Sequence, residues 1–107
     1  MSLNLSPLCN IINQLYALEK KVIAMDDSGR ISRRFERIKV QFEELNLFIH
    51  VPLDEAYDDT RLDCDASVTG EKIDNLKIVE VIKPIIYHRE NEVNKIVQRG
   101  VVLVEGR

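Results

Sequence analysis

The feature that most constrains this chain is a change of hydrophobic period near residue 46. Before it, apolar residues at Leu8, Ile11, Ile12, Leu15, Leu18 and Val22 recur every three or four positions, the spacing of one helix face. Cys9, Tyr16 and Ile23 widen that stripe beyond what a single partner helix would cover. Ser6-Pro7 is a start signal, because Ser can cap free amides and Pro fits where no amide partner is needed. The turn-forming run Asp26-Asp27-Ser28-Gly29 should end this helix. A second helix is predicted over 31–45, with a narrow seam of Ile31, Phe35, Ile38, Phe42 and Leu45 at a period near 3.5. Asn46 is its expected stop, since Asn tolerates the left-handed backbone found at helix ends. The two helices should form an antiparallel hairpin.

After Asn46 the pattern turns to short β-rich runs. A strand is expected over 47–51, halted by Pro52, and then an acidic, irregular stretch over 54–65. A short strand over 66–69 should precede the turn at Gly70. The strongest strand is expected over 76–83, ending at Pro84. The runs 85–88 and 95–104 flank polar Arg89-Glu90-Asn91-Glu92 and should pair as a hairpin. Helices first and strands afterwards predict an α+β fold, with a helical part over 1–46 and a small antiparallel β head over 47–107 forming one domain.

Size and charge narrow the function. With 107 residues, 45% of them apolar, the chain can build one modest core, and self-association would extend its burial. A net charge of -3 argues against nucleic acid as the main partner, although Arg30, Arg33, Arg34, Arg37 and Lys39 cluster in one stretch. A second cluster, Asp54, Glu55, Asp58, Asp59, Asp63 and Asp65, is acidic; a calcium loop starting at Asp63 would need Gly where Val68 stands. No metal or cofactor is expected. The four glycines are scattered, no serine has a nucleophile-elbow context, and His50 and His88 lack partners at catalytic spacing. Cys9 and Cys64 match no metal spacing and read as reduced thiols, with Cys64 made a poor nucleophile by flanking Asp63 and Asp65. The expectation is a cytoplasmic, non-catalytic protein that binds another protein, with no membrane span.

Several segments, taken in order, resemble GrpE-type nucleotide exchange factors, the partners of DnaK-type chaperones. Leu5-Ser6-Pro7-Leu8 is similar to the Leu-Leu-Pro-Val that opens the family's bundle helix, and Asn46-Leu47 stands where Gly-Val ends the second. Tyr57-Asp58 resembles the Phe-Asp-Pro turn, and Asp65-Ala66 the Glu-Ala pair. The run from Ile78 to Ile82 resembles the strand before the family's Gly-Tyr, and the run from Ile96 to Val104 its closing strand. The departures are Asp59 for Pro, Ile85-Ile86 for Gly-Tyr, and Gln98-Arg99-Gly100 for Arg-Pro-Ala. Gln14 falls where an Arg commonly faces the chaperone, Ala17 replaces an acidic residue, and the family's long helical stalk has no counterpart here.

The resemblance implies a homodimer built as a four-helix bundle, with a β-wing pressed on the chaperone's nucleotide-binding domain. It puts Leu8, Ile12, Leu15, Phe35, Ile38 and Phe42 in the dimer seam. It puts Ile82, Lys95 and Val104 on the wing, Tyr57 beneath it, and Gln14 on the helix side of the chaperone contact. By position alone, Ile82 and Val104 also suit the core, and Lys95 a solvated strand end. The implied action is release of ADP by preferring the open nucleotide cleft. A structural adaptor with the same fold but no exchange activity is the main alternative, favoured by the altered Gln14, Ala17 and Gln98.

Overall fold

The computed structural model describes residues 4–25 and 29–107. Of the expected turn at 26–29, Asp26, Asp27 and Ser28 lie outside the described residues. The chain is α+β: two helices, then six strands in two three-stranded sheets.

Helix α1 runs over Ser6–Met25. Its cap differs from expectation, because Ser6 is already helical and its N–H donates to Asn4 Oδ1 at 3.0 Å. The first helical bond closes from Cys9 N–H to the Leu5 carbonyl, and Pro7 sits among the first-turn residues that need no donor. Helix α2 runs over Arg30–Glu44, entered through Gly29 at φ 80° with no side-chain cap. It ends as the sequence predicts: Asn46 adopts φ 63°, and its N–H bonds the Glu43 carbonyl.

One sheet has the order β1-β4-β5, from Leu47–His50, Ile85–Glu90 and Val93–Gln98, all antiparallel. Its β4–β5 hairpin closes on Asn91 and Glu92, both at positive φ, which gives the twist that two-residue hairpins favour. The other sheet has the order β2-β6-β3, from Cys64–Thr69, Gly100–Glu105 and Lys77–Lys83. Here the expected all-antiparallel head is corrected, because β2 runs parallel to β6 while β3 is antiparallel to it. The single strand expected over 95–104 is also corrected: it breaks at Arg99 into β5 and β6, which belong to different sheets. The acidic stretch is more ordered than its sequence suggests. Asp54 N–H bonds the Ile78 carbonyl, Ile78 N–H bonds the Glu55 carbonyl, and Tyr57 N–H bonds the Leu76 carbonyl, so the stretch follows β3.

Two apolar clusters hold these layers together. One gathers Cys64, Ile78, Val81, Ile85, Val102 and Val104; the other gathers Cys9, Ile12, Leu47 and Ile86. Neighbouring side chains of a strand point to opposite faces. Ile85 and Ile86 therefore feed the two clusters from the start of β4. Helix α1 spans both clusters, with Ile12 in one and Tyr16 against the other. Lys20 extends this contact by donating to the Val81 carbonyl at 3.0 Å.

Candidate partner-binding surface

Helix α1 carries two interleaved apolar stripes, and the fold uses only one of them. Cys9, Ile12 and Glu19 turn inward and are buried. The other side keeps Ile11 49% and Leu18 51% exposed, with half-buried Leu15 between them and half-buried Val22 one turn further on. Helix α2 adds Ile38 and Leu45 to the exposed apolar surface.

This division splits the residues of the expected dimer seam. Ile12 is 2% exposed and packs inside its own chain, as does buried Phe35, so neither is available to a second copy. Leu8 and Phe42 are half-buried against the same inner cluster as Ile12. Leu15 and Ile38 line a gap between the helices together with Phe35, Phe42 and Ile49. That gap holds about 20 Å³, room for about one water, so it is a packing defect and no ligand pocket. Glu19 closes one end of it, its Oε1 3.5 Å from Lys39 Nζ, which also reaches Glu36 at 3.2 Å. Burial of this carboxylate is tolerable only because a cation meets it. Lys39 is thereby taken out of the free basic face that sequence suggested.

The expected wing residues separate. Val104 is 0% exposed in the centre of the β2-β6-β3 sheet, and its expected place among chaperone-facing side chains is corrected to a core position. Tyr57 is half-buried against that same core. Ile82 is exposed on β3, and Lys95 is exposed on β5 of the other sheet, 3.6 Å from Glu90. Gln14 is exposed on α1.

Two polar constructions are absent from the sequence reading. Asn13 and Gln98, 85 positions apart, exchange reciprocal amide hydrogen bonds of 2.8 and 2.7 Å, and Gln98 also donates to the Pro84 carbonyl at 2.8 Å. Gln98 is thus a strut between α1 and the end of β5. Asn and Gln are among the few side chains that can donate and accept at once. That property was the available signal, but nothing in the chain order paired them.

The second construction is centred on Arg61, whose side chain is mostly covered. Its guanidinium donates to Glu55 Oε1 at 2.7 Å, to Asp63 Oδ1 at 2.7 Å and to the Ala56 carbonyl at 3.0 Å. His50 Nε2 lies 2.6 Å from Glu55 Oε2, so the array runs from the end of β1 to the start of β2. Burial pushes the Glu55 and Asp63 carboxyls up, but the bonds and charge of Arg61, joined at Glu55 by His50, together outweigh it and hold both below the ordinary carboxylate range. Beside this array, burial and then Asp63 push the Cys64 thiol up to about 11. A buried thiol protonated at neutral pH is no nucleophile. His50 and His88 each face a carboxylate, with His88 Nδ1 at 3.4 Å from Glu90.

No family model, no curated protein and no solved structure matches this chain. Among the described residues no three His, Cys, Asp or Glu side chains gather as a metal site. Among the same residues no helix is long and apolar enough to cross a membrane.

Proposed function

We propose that this chain is a dimeric, GrpE-like co-chaperone that promotes ADP release from a DnaK-type chaperone. The observation that carries the reading is the second apolar stripe of α1, Ile11 and Leu18 with Ile38 of α2, which its own chain leaves 49%, 51% and 36% exposed. An exposed apolar stripe on a helix pair is a surface for another protein. The Lys39–Glu19 ion pair and the shared packing of Ile12 and Phe42 support an antiparallel helical hairpin. Two such hairpins facing each other would make a four-helix bundle, with Leu15 at its seam. Exposed Ile82 and Lys95 are the wing contacts that remain, with Gln14 on the helix side. The factor would bind an open nucleotide cleft better than a closed one, and only that difference in affinity can drive ADP out.

A second reading is favoured by the burial of Val104, which removes one apolar contact from the wing. On that reading the chain is a dimeric adaptor without exchange activity.

The deciding experiment is the release rate of a fluorescent ADP analogue from a DnaK-type chaperone, with and without this protein. Acceleration of tenfold or more is expected, and Lys95→Glu should reduce it. Binding without acceleration would leave the adaptor, and no binding to such chaperones would defeat both chaperone readings. Light scattering of the Ile11→Asp, Leu18→Asp double variant tests the dimer separately. A folded monomer is expected; an unchanged dimer would reject this seam.

A further inference from the structure

Helix α2 has a third face, distinct from its buried seam and from the apolar stripe. Arg33, Arg34 and Arg37 are all exposed on it, and none has an anionic side chain within 4.0 Å among the described residues. Arg30 lies on the same side, one turn earlier. At a rise of about 1.5 Å per residue, residues 30 to 37 span about 10 Å of helix. Glu36, the one acid within this span, is taken up by Lys39.

The charge order along α2 is the reverse of what helix stability favours. The first turn has no acidic residue and the last turn no basic one. Arg30 and Arg33 stand at the end where the backbone dipole is already positive, and Glu43 and Glu44 where it is negative. Charges kept against local stability mark a surface used for something else. All four cations are Arg, whose planar fork pairs carboxylates two bonds at a time, where Lys offers a point charge.

We infer that this face of α2 docks an acidic segment of a partner protein. Its short length suits a few carboxylates on one turn or two of peptide. A long polyanion is disfavoured by the net charge of -3. A membrane surface would want aromatic side chains beside the arginines, and Phe35 and Phe42 are turned inward instead, which leaves Ile38 and Val40 as the exposed large apolar side chains of α2. The inference is independent of the exchange reading, and its test uses no chaperone.

The test is fluorescence anisotropy with a labelled Glu-Ala-Ala-Glu repeat peptide. The Arg33→Glu, Arg37→Glu variant should lose about tenfold or more in affinity, as lost charge-assisted contacts do. A Lys72→Glu, Lys83→Glu control, with the same change in net charge, should lose less than about twofold. Arg33→Lys, Arg37→Lys should fall between them. Because the reversal puts acid in the first turn, its melting midpoint should hold or rise by about 2 °C. If the variant instead unfolds, Arg33→Gln, Arg37→Gln gives the same comparison without reversed charge. Absence of saturable binding overturns the inference, as do equal losses in the control and the α2 variant. Tighter binding of duplex DNA or phosphatidylserine vesicles through the same arginines would also overturn it, by assigning the face to phosphate.

Discussion

Strands β5 and β6 are neighbours in sequence, equal in length and similar in content, yet their environments are opposite. β5 holds Val93, Ile96 and Val97; β6 holds Val101, Val102, Leu103 and Val104. In β6, Gly100, Val102 and Val104 are buried, because the strand lies between β2 and β3. β5 is an edge strand paired only with β4, and residues 93 to 97 are all exposed. The difference teaches that apolar content marks a strand without saying which side of the fold will cover it. Two side chains at the junction place the switch. Gln98 is tied to α1 through Asn13, while Arg99 donates to the Cys64 carbonyl at 2.9 Å and pairs with Asp65 at 2.8 Å, holding the chain against β2.

The sharpest way to break this comparison is to put the same charge on each strand. Val104→Asp should cost more than about 4 kcal/mol and abolish cooperative folding, because it buries an unpaired carboxylate. Val97→Asp should change stability by less than about 0.5 kcal/mol, since surface substitutions rarely do more. Urea unfolding followed by circular dichroism measures both. A folded Val104→Asp would return Val104 to the surface and revive its wing role.

The next largest effect lies at the start of β6. A Cβ on Gly100 would come 2.9 Å from Ile85 Cγ1 and 3.4 Å from Cys64 Sγ. Gly100→Val should therefore cost about 2–3 kcal/mol by overpacking the junction. A loss below about 0.5 kcal/mol in the same unfolding assay would mean that β6 can shift away from β4.

The smallest of the three structural effects sharpens how the sheets are joined. Arg61→Ala should cost about 1.5 kcal/mol at pH 7, since its donors bond charged acceptors that link the end of β1 to the start of β2. The sign of the pH dependence follows from the carboxyls. Glu55 and Asp63 are held low in the fold, so the stability they add is present above about pH 4 and is lost as pH falls through their folded values. The gap between Arg61→Ala and the parent should narrow on moving from pH 7 to about pH 2.5. A gap of constant size would assign the effect to the bond with the Ala56 carbonyl and to packing.

Much of the architecture was legible because local signals and the final fold agree. The 3.5-period seam from Ile31 to Leu45 and the stop at Asn46 located α2 within one residue at each end. Pro84 separated β3 from β4 as a residue without an amide donor must. The open apolar stripe of α1 was less legible. Ile11 and Ile12 are adjacent, equally apolar and both within the helical stripe, so periodicity could not say which one the sheets would cover. The Asn13–Gln98 strut and the Arg61 array were invisible for a related reason: their parts are ordinary polar residues until the fold brings them within 3 Å.

The sequence by itself determined the element types, because helical and strand periods are properties of consecutive residues. It likewise determined the uneven distribution of arginines on α2, since a helix converts spacing directly into a face. Only the tertiary structure decided that β2 and β6 run parallel, that Val104 is core and Val97 is not, and which stripe of α1 remains open. Those outcomes depend on contacts between residues far apart in the chain, and no local pattern carries the geometry that brings them together.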